Sequence, residues 1–287
     1  MRTGGALLVL YCLAAPALYP ATKQTQAPAP ASTETSPHQL YDALNALRID
    51  PAATYQIVPA NRIELRRGDV LVAFEIGKLA FFAPMDGRIT GFVFAGRGHT
   101  LAFPRDPVEK QQMAHFLGAP VLDQIFSTAY VRFTDDAADD LLGQLRDAKL
   151  TPQTDTEFAA GSDSFLGRLN ASQTLRVLED RLTQNPKPYF YAALEGVETG
   201  FFDFLFDPRR REPVLLGQTH KAGDSTYYDV WASYTVPSAI PPQTEFRALG
   251  YSLDTTILPD NSLDATAAVR VRSELSGERV LTFQLSR

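Results

Sequence analysis

The four histidines are the residues of this chain best suited to metal binding or acid–base catalysis, so their spacing is the first test of either chemistry. His38, His99, His115 and His220 are scattered, and no two stand four residues apart, as the ligands of a helical zinc site do. The sequence H-E-x-x-H does not occur, and Glu109 lies six residues from His115, which places the two on different faces of a helix. The sequence therefore predicts no catalytic residue and no metal ligand.

Motifs for a serine nucleophile, for phosphate or for nucleic acid are equally scarce. The nucleophile elbow G-x-S-x-G is absent. Gly96 and Gly98 form a lone G-x-G between two predicted strands, a spacing more typical of a hairpin turn or bulge than of a phosphate-binding loop. The basic turn "PRRREP" (208–213) is predicted to be a solvated loop, because three arginines are too few for a nucleic-acid footprint.

An acidic run, "DDAADD" (135–140), offers carboxylates that could bind calcium. It lacks the alternating ligands and the central glycine of a calcium loop. Acidic residues also stabilise the N-terminus of a helix, so we expect this run to begin a helix.

An aromatic run surrounds the only tryptophan, with Tyr227, Tyr228 and Tyr234 on either side of Trp231. On a regular strand Trp231 and Tyr234 fall on opposite faces, so we expect part of the run to be core. A carbohydrate-binding platform is the alternative.

Length and composition describe a chain with a sizeable core and no excess of positive charge. With 287 residues, 45% of them hydrophobic, it can form one large domain or two to three small ones. The net charge of −6 and the pI near 5.3 argue against a nucleic-acid-binding protein, because such a protein neutralises phosphates with a basic surface.

Residues 1–19 have the features of an export signal. Arg2 provides a positive start, "GALLVLYCLAAPALY" an apolar segment, and residues 15–17 (A-P-A) small side chains at cleavage spacing. The apolar segment is shorter than the roughly 20 residues that cross a bilayer, so we expect no stable membrane span. We expect a secreted or periplasmic protein whose cleaved signal peptide removes the only cysteine, Cys12.

A linker rich in proline, alanine and threonine follows at 20–36, and an α+β region is predicted over 37–235. Its first helix is predicted in "SPHQLYDALNALRI", with Ser36 as the cap. Residues 55–104 alternate with period two, which predicts a meander of about five strands. Their turns are predicted at 67–69, 76–78, 85–87 and 96–98.

Residues 105–185 are predicted to be mainly helical. Asp106 caps a helix that begins with Pro107 and that Gly118 ends. The apolar spacing then predicts a short helix at 121–126, a strand in "AYVRFT", and helices over 136–145 and 156–184.

A second strand-rich block is predicted over 189–234, in "YFYAALEG", "TGFFDFLFDP", "REPVLLGQTH" and "YYDVWASY". A proline-rich linker follows at 236–242, and three strands are predicted in 243–287. The predicted fold class is α+β: mostly antiparallel β meanders with intervening short helices, ending in an incomplete β-sandwich or saddle fragment.

The closing segment, "YSLDTTILPDNSLDATAAVRVRSELSGERVLTFQLSR", resembles the start of the β-rich N-terminal domain of zinc metallopeptidases of the membrane alanyl aminopeptidase type. The resemblance covers a Tyr-x-Leu strand at 251–257, a strand of small and β-branched residues at 265–271, and an L-x-F-x-L strand at 280–285. The stretches "FPRDPVEKQQMAHFLGAPVLDQIFSTAYVRFTDD" and "GFFDFLFDPRRREPVLLGQTH" look like the long leader region of large secreted bacterial proteins of this family.

No catalytic residue is carried over from this resemblance. The family's G-x-M-E-N stretch and its H-E-x-x-H helix with a distant glutamate do not occur here. The resemblance implies that the chain stops within the enzyme's first domain. It also implies that zinc belongs to a C-terminal peptidase domain, the missing partner of this region.

The sequence thus supports two functions, and a stand-alone enzyme of unrecognised type is the third interpretation. The first is the non-catalytic N-terminal portion of a secreted zinc aminopeptidase-like protein, whose parent removes N-terminal residues from peptides while this part shapes, tethers or gates. The alternative is a stand-alone secreted or periplasmic β-rich binding module without peptidase activity. Neither function involves nucleic acid or a cofactor in this chain.

Overall fold

A computed structural model describes residues 36–47, 55–145, 152–153, 158, 165, 171–223, 225–237 and 245–281. In them the chain is mostly antiparallel β-structure with short helices between the strands, which confirms the predicted α+β class. The predicted signal segment and most of the two predicted linkers lie outside the described residues.

Nine strands in this part of the chain form one antiparallel sheet in the order β5-β1-β2-β3-β4-β6-β7-β8-β9. Their bounds are β1 Tyr55–Arg67, β2 Val70–Phe81, β3 Gly91–Ala102, β4 Leu122–Phe133, β5 Pro152–Gln153, β6 Phe190–Gly196, β7 Gly200–Phe206, β8 Val214–Ala222 and β9 Ser225–Tyr234. Two more strands, β10 (Phe246–Ile257) and β11 (Leu263–Ser273), form a separate two-stranded sheet. The helices with both ends among the described residues are α1 Pro37–Asn45, α2 Pro107–Leu117, α3 Ala137–Gln144 and α4 Ala171–Leu182.

The nine-stranded sheet curls around an apolar core on one of its faces. Alternate side chains of β2, such as Val72 and Phe74, are buried there together with side chains of β1, β3, β4 and β6 to β9. Gly68, in the turn between β1 and β2, lies against the far end of the sheet, because a Cβ at this glycine would meet Val236 at 2.8 Å and Val214 at 3.3 Å. The two ends of the sheet therefore approach each other.

Helix side chains cover the backbone at both edges of this sheet. The amide of Gln144 on α3 accepts from the Glu64 N–H of β1 at 2.9 Å and donates to the Glu64 carbonyl at 2.8 Å. Glu109 on α2 accepts from a backbone N–H of β9 at 2.8 Å, and Gln112 donates to a β9 carbonyl at 2.7 Å. These bonds protect edge positions that would otherwise be open to another strand.

A second apolar core lies on the opposite face of the sheet. Leu40 and Leu44 of α1 are buried there with Val177 of α4. They belong to the same cluster as Tyr130 of β4 and Tyr189, the residue before β6. The sheet is therefore covered on both faces in this region, and α4 is held firmly against it.

The helix caps predicted from the sequence are confirmed. Ser36 forms a capping box with Gln39, and Asp106 accepts from the Val108 N–H at 2.8 Å. Gly118 ends α2 in the left-handed conformation, with φ of 73°. The acidic run at 135–140 begins α3, as predicted.

The prediction of about five strands in 55–104 is wrong, because this region forms three long strands. Gly77 and Gly96 are directly paired across β2 and β3. A Cβ on Gly77 would lie 2.3 Å from the carbonyl oxygen of Ala95, so the glycines allow a close approach of two continuous strands rather than turns.

The predicted helix at 121–126 is also wrong, because residues 122–126 belong to β4. Leu122 pairs with Ala102 of β3, and Leu122 and Phe126 are buried while Ile125 is partly exposed. Strand pairing overrides the helical spacing of the apolar residues. Of the predicted helix over 156–184, α4 covers 171–182, and most residues before it lie outside the described ones.

A substitution of Gly98 tests the close packing of β3 on β4. A Cβ there would lie 2.1 Å from the Phe126 ring, so we expect Gly98→Ala to lower the free energy of unfolding by about 1–3 kcal/mol in urea denaturation. Gly143→Ala on α3, where no atom lies within 4 Å, is the matched control and should raise stability by about 0.5–1 kcal/mol. A Gly98→Ala protein as stable as the wild type would contradict this packing.

Candidate functional site: the exposed arm and its ionic base

The histidines remain apart in the fold, on α1, β3, α2 and β8 (His38, His99, His115 and His220). The imidazoles on β3 and β8 each face one carboxylate at 2.6 Å, from Asp123 and Asp229. Among the described residues no hydroxyl is hydrogen-bonded to either imidazole, and no group of three or more His, Cys, Asp or Glu could hold a metal ion. These pairs therefore do not assemble a nucleophile or a metal centre in that part of the chain.

The aromatic run is divided between core and surface. Trp231 and Tyr234 both lie in the sheet's core, which corrects the prediction of opposite faces, because the pairing of β8 with β9 shifts by one residue beside Trp231. The indole stacks on Phe202 with ring centroids 5.6 Å apart. Only Tyr227 and Tyr228 are exposed, so a carbohydrate platform cannot use the tryptophan.

Strands β10 and β11 form an exposed antiparallel hairpin, called the arm here (residues 246–273). Tyr251 and Leu253 are each 71% exposed and Ile257 is 73% exposed, which is unusual for three large apolar side chains on one strand. Directly opposite on β11 lie Val269, Ala267 and Leu263, so one face of the arm is apolar. Large exposed apolar patches of this kind mark protein contacts.

The other face of the arm is polar. On β11 it carries, from tip to base, Asp264, Thr266, Ala268, Arg270 and Arg272. Among the described residues, no further strand joins the outer edge of β10 or of β11. The arm therefore presents an apolar face, a charged face and two strand edges.

A buried arginine fixes the base of the arm to the body. Arg209, in the turn between β7 and β8, forms an ion pair with Glu245, which precedes β10, and lies 3.9 Å from Glu278, which follows β11. The same guanidinium lies 3.5 Å from Glu179 and 3.6 Å from Asp180 of α4. One side chain thus connects α4 with both segments that lead into and out of the arm.

A second arginine extends this ionic cluster into the body. Arg176 of α4 lies 2.6 Å from Asp180 and 3.0 Å from Asp207, and its guanidinium packs over the Tyr189 ring at 5.3 Å. Two backbone carbonyls after β11 accept hydrogen bonds from the segment after α4, at 3.3 Å and 2.8 Å. The base of the arm is therefore held by charge and by hydrogen bonds.

The cluster holds more carboxylates than cations. Its members are Arg176, Arg209, Glu179, Asp180, Asp207, Glu245 and Glu278. Burial raises the pKa of Glu179 to about 7, against the two arginines that favour its charged form, and the neighbouring Glu245 and Asp180 raise it further. Near neutral pH, Glu179 is therefore protonated in a large fraction of molecules.

Sequence reasoning missed this cluster. The turn at 208–213 was predicted to be a solvated loop, which is right for the exposed Arg210 and Arg211 but wrong for Arg209, whose side chain is 9% exposed. The physical reason is long-range pairing, because Glu245 lies 36 residues further along the chain. No local sequence pattern distinguishes the buried Arg209 from its two exposed neighbours.

Comparison with protein-family models, curated proteins and solved structures finds no match for this chain. In the part of the chain that the structure describes, no helix has the length and apolar character needed to cross a membrane.

The raised pKa of Glu179 makes stability depend on pH. In the unfolded chain Glu179 releases its proton near pH 4.5, whereas the folded protein retains it to about pH 7, so stability should fall as pH rises through this window. Glu179→Gln removes the titration and should flatten the slope by up to about 1.4 kcal/mol per pH unit, measured by urea denaturation between pH 5 and about 7.

Burial also raises the pKa of Asp203, to about 6, so part of the slope should remain in the Glu179→Gln protein. Glu198→Gln, in the exposed turn between β6 and β7, is the matched control and should keep the wild-type slope. Identical slopes for the wild type and Glu179→Gln would show that Glu179 does not hold a proton in the folded state.

Proposed function

We propose that this chain is the non-catalytic N-terminal portion of a secreted zinc aminopeptidase-like protein, in which it anchors a β-sheet arm for contact with another protein surface. In this proposal the parent removes N-terminal residues from peptides, and its zinc belongs to a C-terminal peptidase domain. The chain itself holds the arm in place and takes no part in the catalytic step. Export through a cleaved signal peptide delivers it to the periplasm or the exterior.

The observation that carries the proposal is the arm. Two of the three stretches that resemble the peptidase family, 251–257 and 265–271, lie in β10 and β11 and pair with each other. A hairpin of two strands is marginal in water unless its apolar face is covered, so the exposed face supports a function in binding.

The third stretch, 280–285, is only partly described. Val280 and Leu281 follow the arm without joining a strand, and residues 282–287 lie outside the described ones. The arm is therefore the part of this resembling segment whose strands the structure describes.

The fixed base of the arm also supports the proposal. A docking element that holds one orientation loses less conformational entropy on binding than a mobile one. Arg209 and its carboxylates provide that orientation, since moving the arm away would separate the buried guanidinium from Glu245 and Glu278.

Isolation of the native protein from its source cells tests the proposal. An antibody against the nine-stranded body should detect a species much heavier than the 31.6 kDa of this chain. The isolated protein should begin after Ala17, contain zinc, and hydrolyse aminoacyl-chromophore substrates until a chelator removes the metal.

This chain alone, purified after expression, is the matched control. It should show no turnover and less than one equivalent of bound zinc, because the sequence lacks the family's ligand spacing. A native protein of the size of this chain, without chelator-sensitive activity, would overturn the proposal and favour a stand-alone binding module.

A further inference from the structure

We propose that two copies of this chain join through strand β11, so that their arms form one four-stranded antiparallel sheet in the order β10-β11-β11-β10. The inference goes beyond the proposed function and does not depend on it, because it uses only the edge of the arm. The apolar face of the doubled sheet remains available to a further partner.

The outer edge of β11 is suited to strand pairing. Its 11 residues run without a break, and no other strand of the described residues lies beside them. Such an edge presents a row of backbone donors and acceptors to an incoming strand. The edge of β10 is less suitable, because its register shifts between Ala248 and Gly250.

The charges of β11 identify a second copy as the partner. If the two strands pair antiparallel about Ala268, Asp264 of one copy lies directly opposite Arg272 of the other, and Thr266 lies opposite Arg270. Two-fold symmetry creates each pair twice. Opposite charges placed directly across two strands stabilise a sheet, so the strand is complementary to itself.

The same register fits the length and the apolar face of the strand. Leu263–Ser273 pairs over its whole length, because residues 263 and 273 are equally distant from Ala268. On the apolar face, Ala267 lies opposite Val269 and Ala265 opposite Val271. Four strands exceed the three that a sheet with one apolar face needs for independent stability.

The contact is small, so the dimer should be reversible. A strand of 11 residues is about 36 Å long at ~3.3 Å per residue, and one paired edge buries less than the roughly 1,200 Å² of a standard interface. The symmetry closes after two copies, which predicts a dimer and not a fibre. We expect dissociation in the micromolar range.

Sedimentation of the full chain over roughly 1–100 µM should show a monomer–dimer equilibrium in low salt. Asp264→Arg and Arg272→Asp should each weaken the dimer at least about tenfold, because each places like charges opposite one another twice. The double variant D264R/R272D should restore the dimer, and an equimolar mixture of the two single variants should form a heterodimer. Asp254→Arg, on the polar face of β10, is the matched control and should dimerise like the wild type.

A cysteine at the symmetry axis tests the register. In a Cys12→Ser background, Ala268→Cys should form an intermolecular disulfide, because directly opposite Cα atoms lie about 4.5–5.5 Å apart, within disulfide range. Thr266→Cys should not, since its two copies are offset by roughly 13 Å along the strands. A wild-type monomer throughout the concentration range, or a dimer that survives both charge reversals, would overturn the proposal.

Discussion

The position of the arm depends on the burial of one guanidinium, that of Arg209. An arginine taken out of water must be paired, because a buried charge without a partner costs several kcal/mol. Arg209 finds its partners on α4 and on both sides of the arm, including Glu278, whose side chain is fully buried. Displacing the base of the arm would take Glu245 and Glu278 away from this guanidinium. A hairpin that would be marginal alone is thereby held in one place.

The strand edges of the nine-stranded sheet are covered by side chains, whereas those of the arm are open among the described residues. The edges of the nine-stranded sheet are covered where Gln144, Glu109 and Gln112 bond to the backbone of β1 and β9. Among the described residues nothing covers the edges of the arm in this way, and its large apolar side chains are exposed to solvent. Protection of the body together with exposure of the arm is the pattern expected of a scaffold that presents a binding element.

Local signals in the sequence predicted the elements of the fold that depend on neighbours along the chain. The caps Ser36 and Asp106 and the four strands of 189–234 follow from such signals. Features that depend on distant partners were not predicted. They are the pairing of Gly77 with Gly96 and the burial of Arg209 by residues from three parts of the chain. The arm was predicted as strands. Its apolar face is exposed because its sheet is separate from the nine-stranded sheet, and local sequence patterns do not show that separation.

The most direct measurement of this anchoring is hydrogen exchange in Arg209→Gln, compared with Arg210→Gln at the exposed neighbouring position. Loss of the buried guanidinium should speed amide exchange in the arm and in residues 274–281, while exchange in the nine-stranded sheet stays unchanged. Arg210→Gln should exchange like the wild type throughout. Wild-type protection of the arm in Arg209→Gln would contradict the conclusion that this ionic cluster holds the arm in place.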